Sequence, residues 1–431
     1  LNLFAIGIAA ITGFALIETP LFTVIAGITI VCLYAVSEEW MALQMIVIEL
    51  NRLASMPVLV ALPLFTLTGV LLTETNAPRR IMNFLQAVIG WLPGGLAIAA
   101  LCSCAFFTAL TGASGVTIVA LGSILYPMLR QEEYREPFTL GLLTTSGSLG
   151  LLFPPSLPVI LYGVISQINI ADIFRAALLP GILLVAALSL YAALHRVSTA
   201  SSHKIVYQRK SSSWLQIKVA FKAGIWEWPI VAVLIVGVYG GFVTIAEVAA
   251  VILVYVIAVA CFIRREVAFR RQLPGIMIES AILSGAIIVI LGFALGFTGY
   301  LVDEQIPNRL LGYLTSLTEN KYIFLAGLNL FLLAVGCIMD VFSAIIIIVP
   351  IIVPIALTYG VDPVHLCIIF LVNLEIGYST PPVGINLFIA SLKFNKPVVL
   401  LYRASLPYLV LLLILLLIIT YVPVLTLALA P

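Results

Sequence analysis

Apolar runs near the roughly 20 residues that span a bilayer as a helix recur from one end of this chain to the other. The one long polar interruption, at about 195–228, divides the chain into two halves of similar length. The run at 1–17 has neither a basic flank nor a small-residue cleavage site, so it reads as a membrane helix rather than a signal peptide. Two further spans are expected at about 229–243 and 248–262. Two longer apolar segments, 92–129 and 323–357, turn at polar, glycine-bearing positions near Thr111–Gly115 and Gly336–Asp340, and each is predicted to be a re-entrant hairpin. Two others, 138–165 and 364–392, carry Pro-Pro at mid-length and are predicted to be broken helices. The expectation is an all-α polytopic membrane protein of about ten transmembrane helices plus two re-entrant hairpins.

The halves repeat one pattern. TSGSLGLLFPPS runs from Thr145 to Ser156 and VNLEIGYSTPPV from Val372 to Val383, each with Gly, three residues, then Pro-Pro. Gly150 and Gly377, Pro154 and Pro381, Pro155 and Pro382, and upstream Pro127 and Pro354 all stand 227 positions apart. With small slips, Thr68-Gly69 answers Thr298-Gly299, Pro78 answers Pro307, Glu18 answers Glu247, and Arg175-Ala176 answers Arg403-Ala404. The basic residues Arg196, Lys204, Arg209, Lys210, Lys218 and Lys222, and the next cluster Arg264, Arg265, Arg270 and Arg271, lie two spans apart and so on one side, the cytoplasm. Asp303 and Glu304 then fall outside, while Arg79, Arg80, Lys393 and Lys396 fall inside. The halves 1–194 and 229–431 therefore enter the membrane from opposite sides as inverted repeats, joined by a basic amphipathic cytoplasmic connector at 195–228.

Composition removes the soluble alternatives. Hydrophobic residues make up 63% and charged residues 9% of the chain, with a mean hydropathy of +1.21, where a soluble domain carries about 25% charged residues. The lipid bilayer is therefore the solvent for nearly the whole chain. A net charge of +2, with the basic residues confined to connecting loops, excludes a nucleic-acid surface. Cys32, Cys102, Cys104, Cys261, Cys337 and Cys367 sit inside apolar segments and read as small packing residues; Cys102-Ser-Cys104 lacks the second Cys/His pair of a metal site. There is no Walker A loop and no catalytic His/Asp/Ser or acid-pair constellation, so neither ATP hydrolysis nor another enzyme activity is expected.

The chemistry concentrates at the two breaks and the two hairpin turns. Pro removes a backbone donor and clashes with the preceding turn, so Gly followed by Pro-Pro opens a helix in mid-membrane. The freed carbonyls must line an enclosed or watery cavity and are the ligands a hard cation such as Na+ needs, whereas the half-helix N-termini that follow favour anions. Thr111, Ser114 and Thr117 bring hydroxyls to the first turn, and Gly336, Asp340 and Ser343 occupy the second. Asp340, an acid in an apolar stretch, reads as a functional group, as the cap of the helix it precedes, or as both. Glu375 invites a proton-relay reading, but a structural acid holding the opened backbone is preferred. His365 reads as interfacial. The amphipathic segments 77–90 and 306–319 read as a pair of interfacial arms bracing a frame.

The runs FFTALTGASGVTIVALGSILYP, SGSLGLLFPPSLPVILYG, MDVFSAIIIIVPIIVPIA and NLEIGYSTPPVGINLFIAS, in that order, resemble the large membrane subunit of the tripartite ATP-independent periplasmic (TRAP) transporters. The resemblance implies an elevator transporter of the bacterial inner membrane, with ion-transporter-superfamily-like architecture. Hairpins and broken helices would form a mobile transport domain, and sodium would drive uptake of a small organic anion such as a sialic acid or a C4-dicarboxylate. It also implies two partners: a small four-helix membrane subunit and a periplasmic substrate-binding protein. Carried over, one sodium site would use Thr111 and Ser114 with Gly150, Phe153 and Pro154, and the second Gly336 with Gly377, Thr380 and Val383. Asp340 and Ser156 would face the substrate. Ala113 stands where many relatives carry a hydroxyl, and this departure bears on the substrate contacts. The alternatives are a channel or a proton-coupled carrier of the same solutes. A channel would need a continuous polar lining, and here the polar patches are isolated.

Overall fold

The computed structural model describes residues 26–27, 29–31, 34, 44–203, 214–240, 243–381 and 384–430. The expected membrane helix at 1–17, Lys204, Arg209 and Lys210 of the connector, and Pro382 and Val383 of the second break lie outside the described residues.

The first half runs α1 (Gln44–Ala54), α2 (Ala61–Thr73), α3 (Ala77–Ile89), α4 (Gly95–Thr111), α5 (Ser114–Gln131), α6 (Glu136–Ser146), a tight turn (Leu149–Leu152), α7 (Leu157–Ser166) and α8 (Ile170–His203). The remainder runs α9 (Trp214–Ala223), α10 (Trp228–Leu234), α11 (Ile245–Ile257), α12 (Leu273–Asp303), α13 (Ile306–Leu317), α14 (Lys321–Ile338), α15 (Val341–Thr358), α16 (Pro363–Gly377), α17 (Ile385–Phe394), α18 (Val398–Tyr421) and α19 (Val424–Leu427). Among the described residues six helices are long and apolar enough to cross a membrane, and eight if each of two bent pairs counts as one span.

Helix ends follow local chemistry. Thr244 and Glu247 form a capping box at α11, and Asp362 accepts the backbone N–H groups of Val364 and His365 ahead of Pro363, which suits the first turn of α16. The basic connector is largely helical where described. α8 continues through residue 194 to His203, where His195 stacks on Phe138 at 4.3 Å. α9 lies along α3, with Phe221 6.0 Å from Phe84, and Trp228 at the start of α10 closes on the same ring at 4.4 Å.

Arg80 of α3 fixes this corner. Its guanidinium pairs with Glu227, ahead of α10, and with Glu266, in the link between α11 and α12. Glu266 also accepts the Asn76 N–H at 3.0 Å. Burial works to raise the Glu266 carboxyl, but the Arg80 and Asn76 hydrogen bonds outweigh it and hold the group below its ordinary value.

At the other end a polar chain runs through the packing of α14, α16, α18 and α19. Asn373 donates to Asn329 at 2.7 Å, and Asn329 donates to Thr420 at 3.1 Å. His365 contacts the Thr426 hydroxyl through Nδ1 at 2.7 Å and the Thr420 carbonyl through Nε2 at 3.2 Å. His365, near the start of α16, is buried and held by polar groups from the C-terminal helices.

Candidate functional site

The first turn is built where α4 gives way to α5. Gly112 takes φ +66°, a left-handed conformation that closes α4, and Ala113 is extended, so α5 starts at Ser114. The first break faces it. α6 ends at Ser146, Phe153 is extended, the Pro154–Pro155 bond is cis, and α7 begins at Leu157. Contacts hold the turn and the break together: Thr108 Oγ1 lies 2.8 Å from Thr117 Oγ1 and 2.7 Å from the Gly147 carbonyl. A Cβ on Gly150 would stand 2.2 Å from the Ala105 carbonyl oxygen, so only glycine lets the break lie on α4.

The second turn and break show the same close approach. α14 ends at Ile338, Met339 is extended, and α15 begins after Asp340. A Cβ on Gly377 would meet the backbone of Gly336 at 2.6 Å. Gly384 N–H donates to the Cys337 carbonyl at 3.1 Å, and Thr380 Oγ1 donates to the Ile376 carbonyl at 2.7 Å, which leaves the hydroxyl oxygen's lone pairs available. Gly336, Gly377 and Thr380 are thus brought together. The first break approaches its turn at Gly150, where a Cβ would meet Ala105, Thr108 and Ala109 of α4, and at Gly147, where a Cβ would stand 3.2 Å from the Ser114 carbonyl oxygen.

A cavity of about 1080 Å³ opens between the two turns and the helices α2, α3 and α12. Ala113, Ser114 and Asp340 line it, as does Tyr378 of the second break. Asp340 accepts the N–H groups of Phe342 at 3.0 Å and Ser343 at 3.1 Å and the Ser343 hydroxyl, so its cap role and its place on the cavity wall coexist. Ser156 is not on this wall. It is fully buried just ahead of α7, with no hydrogen-bond partner for its hydroxyl among the described residues.

Two features escape sequence reading. Asn386 accepts a 2.7 Å hydrogen bond from Ser114, tying the first turn to the half-helix after the second break; its only signal is a polar residue just beyond Gly384 in an apolar helix. Glu375 also differs from expectation. Its carboxylate is buried with no hydrogen-bond partner among the described residues, so it makes no bond to the described part of the opened backbone. It is the Glu375 carbonyl that accepts a bond, from Ser148 at 3.4 Å.

Among the described residues no group of three or more His, Cys, Asp or Glu side chains gathers to hold a metal ion. At the first turn and both breaks the polar groups in contact are hydroxyls and backbone carbonyls.

The family model for the DctM component of the tripartite ATP-independent periplasmic transporter matches residues 8–425. The C4-dicarboxylate TRAP transporter large permease protein DctM of Pseudomonas aeruginosa is 36% identical over 371 residues, 86% of this chain and 86% of the relative. The isethionate TRAP transporter permease protein DctMQ of Oleidesulfovibrio alaskensis is 34% identical over 380 residues, covering 87% of this chain and 58% of the relative. Among solved structures, the YdaH transporter of Alcanivorax borkumensis superposes with a TM-score of 0.64 over 91% of each chain at 13% identity, a likeness of fold alone.

Proposed function

The chain belongs to the tripartite ATP-independent periplasmic transporter family as its DctM component, and on that premise we propose that it carries a small organic anion inward across the bacterial inner membrane, coupled to sodium, by an elevator movement. The observation that carries the reading is the pairing of each mid-membrane break with a helix turn through backbone contact, at Gly150 on α4 and at Gly377 on Gly336, beside the cavity lined by Ala113, Ser114 and Asp340. Opened backbone held this way offers carbonyl oxygens to Na+ without a charged side chain. Thr111, Ser114, Gly150, Phe153 and Pro154 would hold one ion, and Gly336, Gly377, Thr380 and Val383 the other.

The turns and breaks form the moving part, and the helices around α2, α3, α11 and α12 the frame. Two inverted repeats, 1–194 and 229–431, underlie the arrangement; the meeting of Ser148 and Glu375 at the repeat offset supports it. The solute class follows the relatives, whose names point to C4-dicarboxylates and isethionate. A small membrane subunit and a periplasmic binding protein complete the transporter.

The test is uptake of labelled succinate and isethionate into vesicles holding all three components. Accumulation against the solute gradient only when sodium is supplied is the expected result, and Thr380→Ala should raise the sodium concentration needed several-fold. Equilibration without accumulation would replace the carrier with a channel. Accumulation driven by a pH gradient in the absence of sodium would replace the coupling ion.

A further inference from the structure

Resting on the reading of the solute as an organic anion, we infer that Arg79 is a specificity-determining residue, the frame's cationic contact for a carboxylate or sulfonate of the solute held in the cavity. The cavity wall carries four charged side chains among the described residues, Glu74, Arg79, Glu279 and Asp340, and Arg79 is the one cation. The wall made by the turns and the second break supplies hydroxyls, an alanine and an acid, and Asp340 is engaged by Phe342 and Ser343. An anion entering from that side meets no positive side chain until it reaches the frame.

Arg79 is free for this work and Arg80 is not. Successive residues on a helix point about 100° apart. Arg80 turns to Glu227 and Glu266 at the corner with α10, whereas Arg79 is exposed on the cavity wall, with no hydrogen bond or ion pair among the described residues. A planar guanidinium presents paired N–H donors that match a carboxylate or sulfonate. Glu279, on the same wall, lies two helical turns into α12 from the basic link that carries Arg270 and Arg271, so this rim is the cytoplasmic one by the positive-inside rule. Arg79 therefore holds the anion in the inward-open state.

Solute exchange in vesicles with the complete transporter tests this, with labelled succinate and isethionate as probes at saturating sodium. Arg79→Gln should raise the KM for the transported anion about tenfold or more, the loss expected when a charge-assisted hydrogen-bonding partner is removed. Arg79→Lys should recover part of it, and the sodium half-saturation should stay unchanged in both. Glu279→Gln and Glu74→Gln each remove a negative charge from the same wall and should lower KM. If either raises KM as strongly as Arg79→Gln, the arginine belongs to an ion-pair gate and the inference falls. An unchanged KM in Arg79→Gln, with the wild type active, overturns this inference alone. A wild type that moves neither anion overturns it together with the proposed solute class. Protection of Arg79 from p-hydroxyphenylglyoxal by succinate gives a second readout that does not depend on turnover, and its absence counts against the contact.

Discussion

Ser148 and Glu375 stand 227 positions apart and meet directly, Ser148 Oγ donating to the Glu375 carbonyl at 3.4 Å. The same offset separates Gly150 from Gly377, so the two helix breaks touch at equivalent points of their own pattern. The bond also occupies one carbonyl at a place where the following Gly and Pro-Pro disturb the helix ladder.

The glycines at the breaks should be irreplaceable. In Gly150→Ala the new methyl would sit 2.2 Å from the Ala105 carbonyl oxygen, and in Gly377→Ala 2.6 Å from Gly336, with backbone atoms on the other side in each case. Overpacking of this kind costs roughly 1–3 kcal/mol or more. Both variants should melt at lower temperature and lose most uptake. Gly327→Ala, whose new methyl meets nothing within 4 Å among the described residues, should do neither. Equal melting temperatures across all three would show that the breaks do not pack as described.

The Arg80 corner predicts an acid-sensitive part of the stability. Glu266 is held below its ordinary value, so its contribution is fully present above the unfolded carboxylate value and is lost as pH falls through the lower folded one. Arg80→Gln leaves the buried Glu227 without its cation and Glu266 with the Asn76 N–H alone, at a cost of about 1–3 kcal/mol. Thermal melting in detergent should show Arg80→Gln less stable at neutral pH and less affected than wild type by acidification. A parallel acid response in the two proteins would remove Glu266 from the linkage.

What the sequence made legible, and what it did not, divides along a physical line. Gly and Pro inside apolar runs mark helix interruptions by backbone sterics alone, and α6 and α16 do end at Ser146 and Gly377 beside those signals. The all-helical, multispanning class follows equally from hydropathy. Burial does not, because a helix face against lipid and one against protein are both apolar. For that reason the sequence does not show that His365 is enclosed by Thr420 and Thr426, or that the Glu375 carboxylate is buried with no hydrogen-bond partner among the described residues. The acids that hold Arg80 lie 147 and 186 positions away, and Asn386 lies 272 from Ser114; no local pattern links them.

The polar chain of Asn373, Asn329 and Thr420 should be a stability element independent of transport chemistry. Asn373→Leu removes the amide that donates to Asn329 Oδ1 and to the Ile369 carbonyl, leaving buried acceptors short of a donor. The expected loss is about 1–3 kcal/mol. A lower melting temperature with an unaltered KM and sodium half-saturation is the predicted outcome; a changed sodium dependence at normal stability would move Asn373 into the site.

Asp340 decides the coupling ion. Its carboxylate caps α15 by accepting two backbone N–H groups and the Ser343 hydroxyl, and it also lines the cavity. A carboxylate on the cavity wall opposes an anionic solute, and the N–H groups at the start of α15 that bond to Asp340 are the groups that offset it. Asn is nearly as good a cap as Asp, whereas Ala gives up about 1 kcal/mol and leaves the first-turn donors unpaired. If Asp340 works through shape and hydrogen bonding, Asp340→Asn should keep part of the uptake with its sodium requirement intact, and Asp340→Ala should keep very little. If the residue instead carries a proton on each cycle, Asp340→Asn should abolish coupled uptake, and an imposed pH gradient without sodium should drive the wild type. Those two results together would overturn sodium as the coupling ion, because the amide preserves the cap and removes only the ability to take up and release a proton.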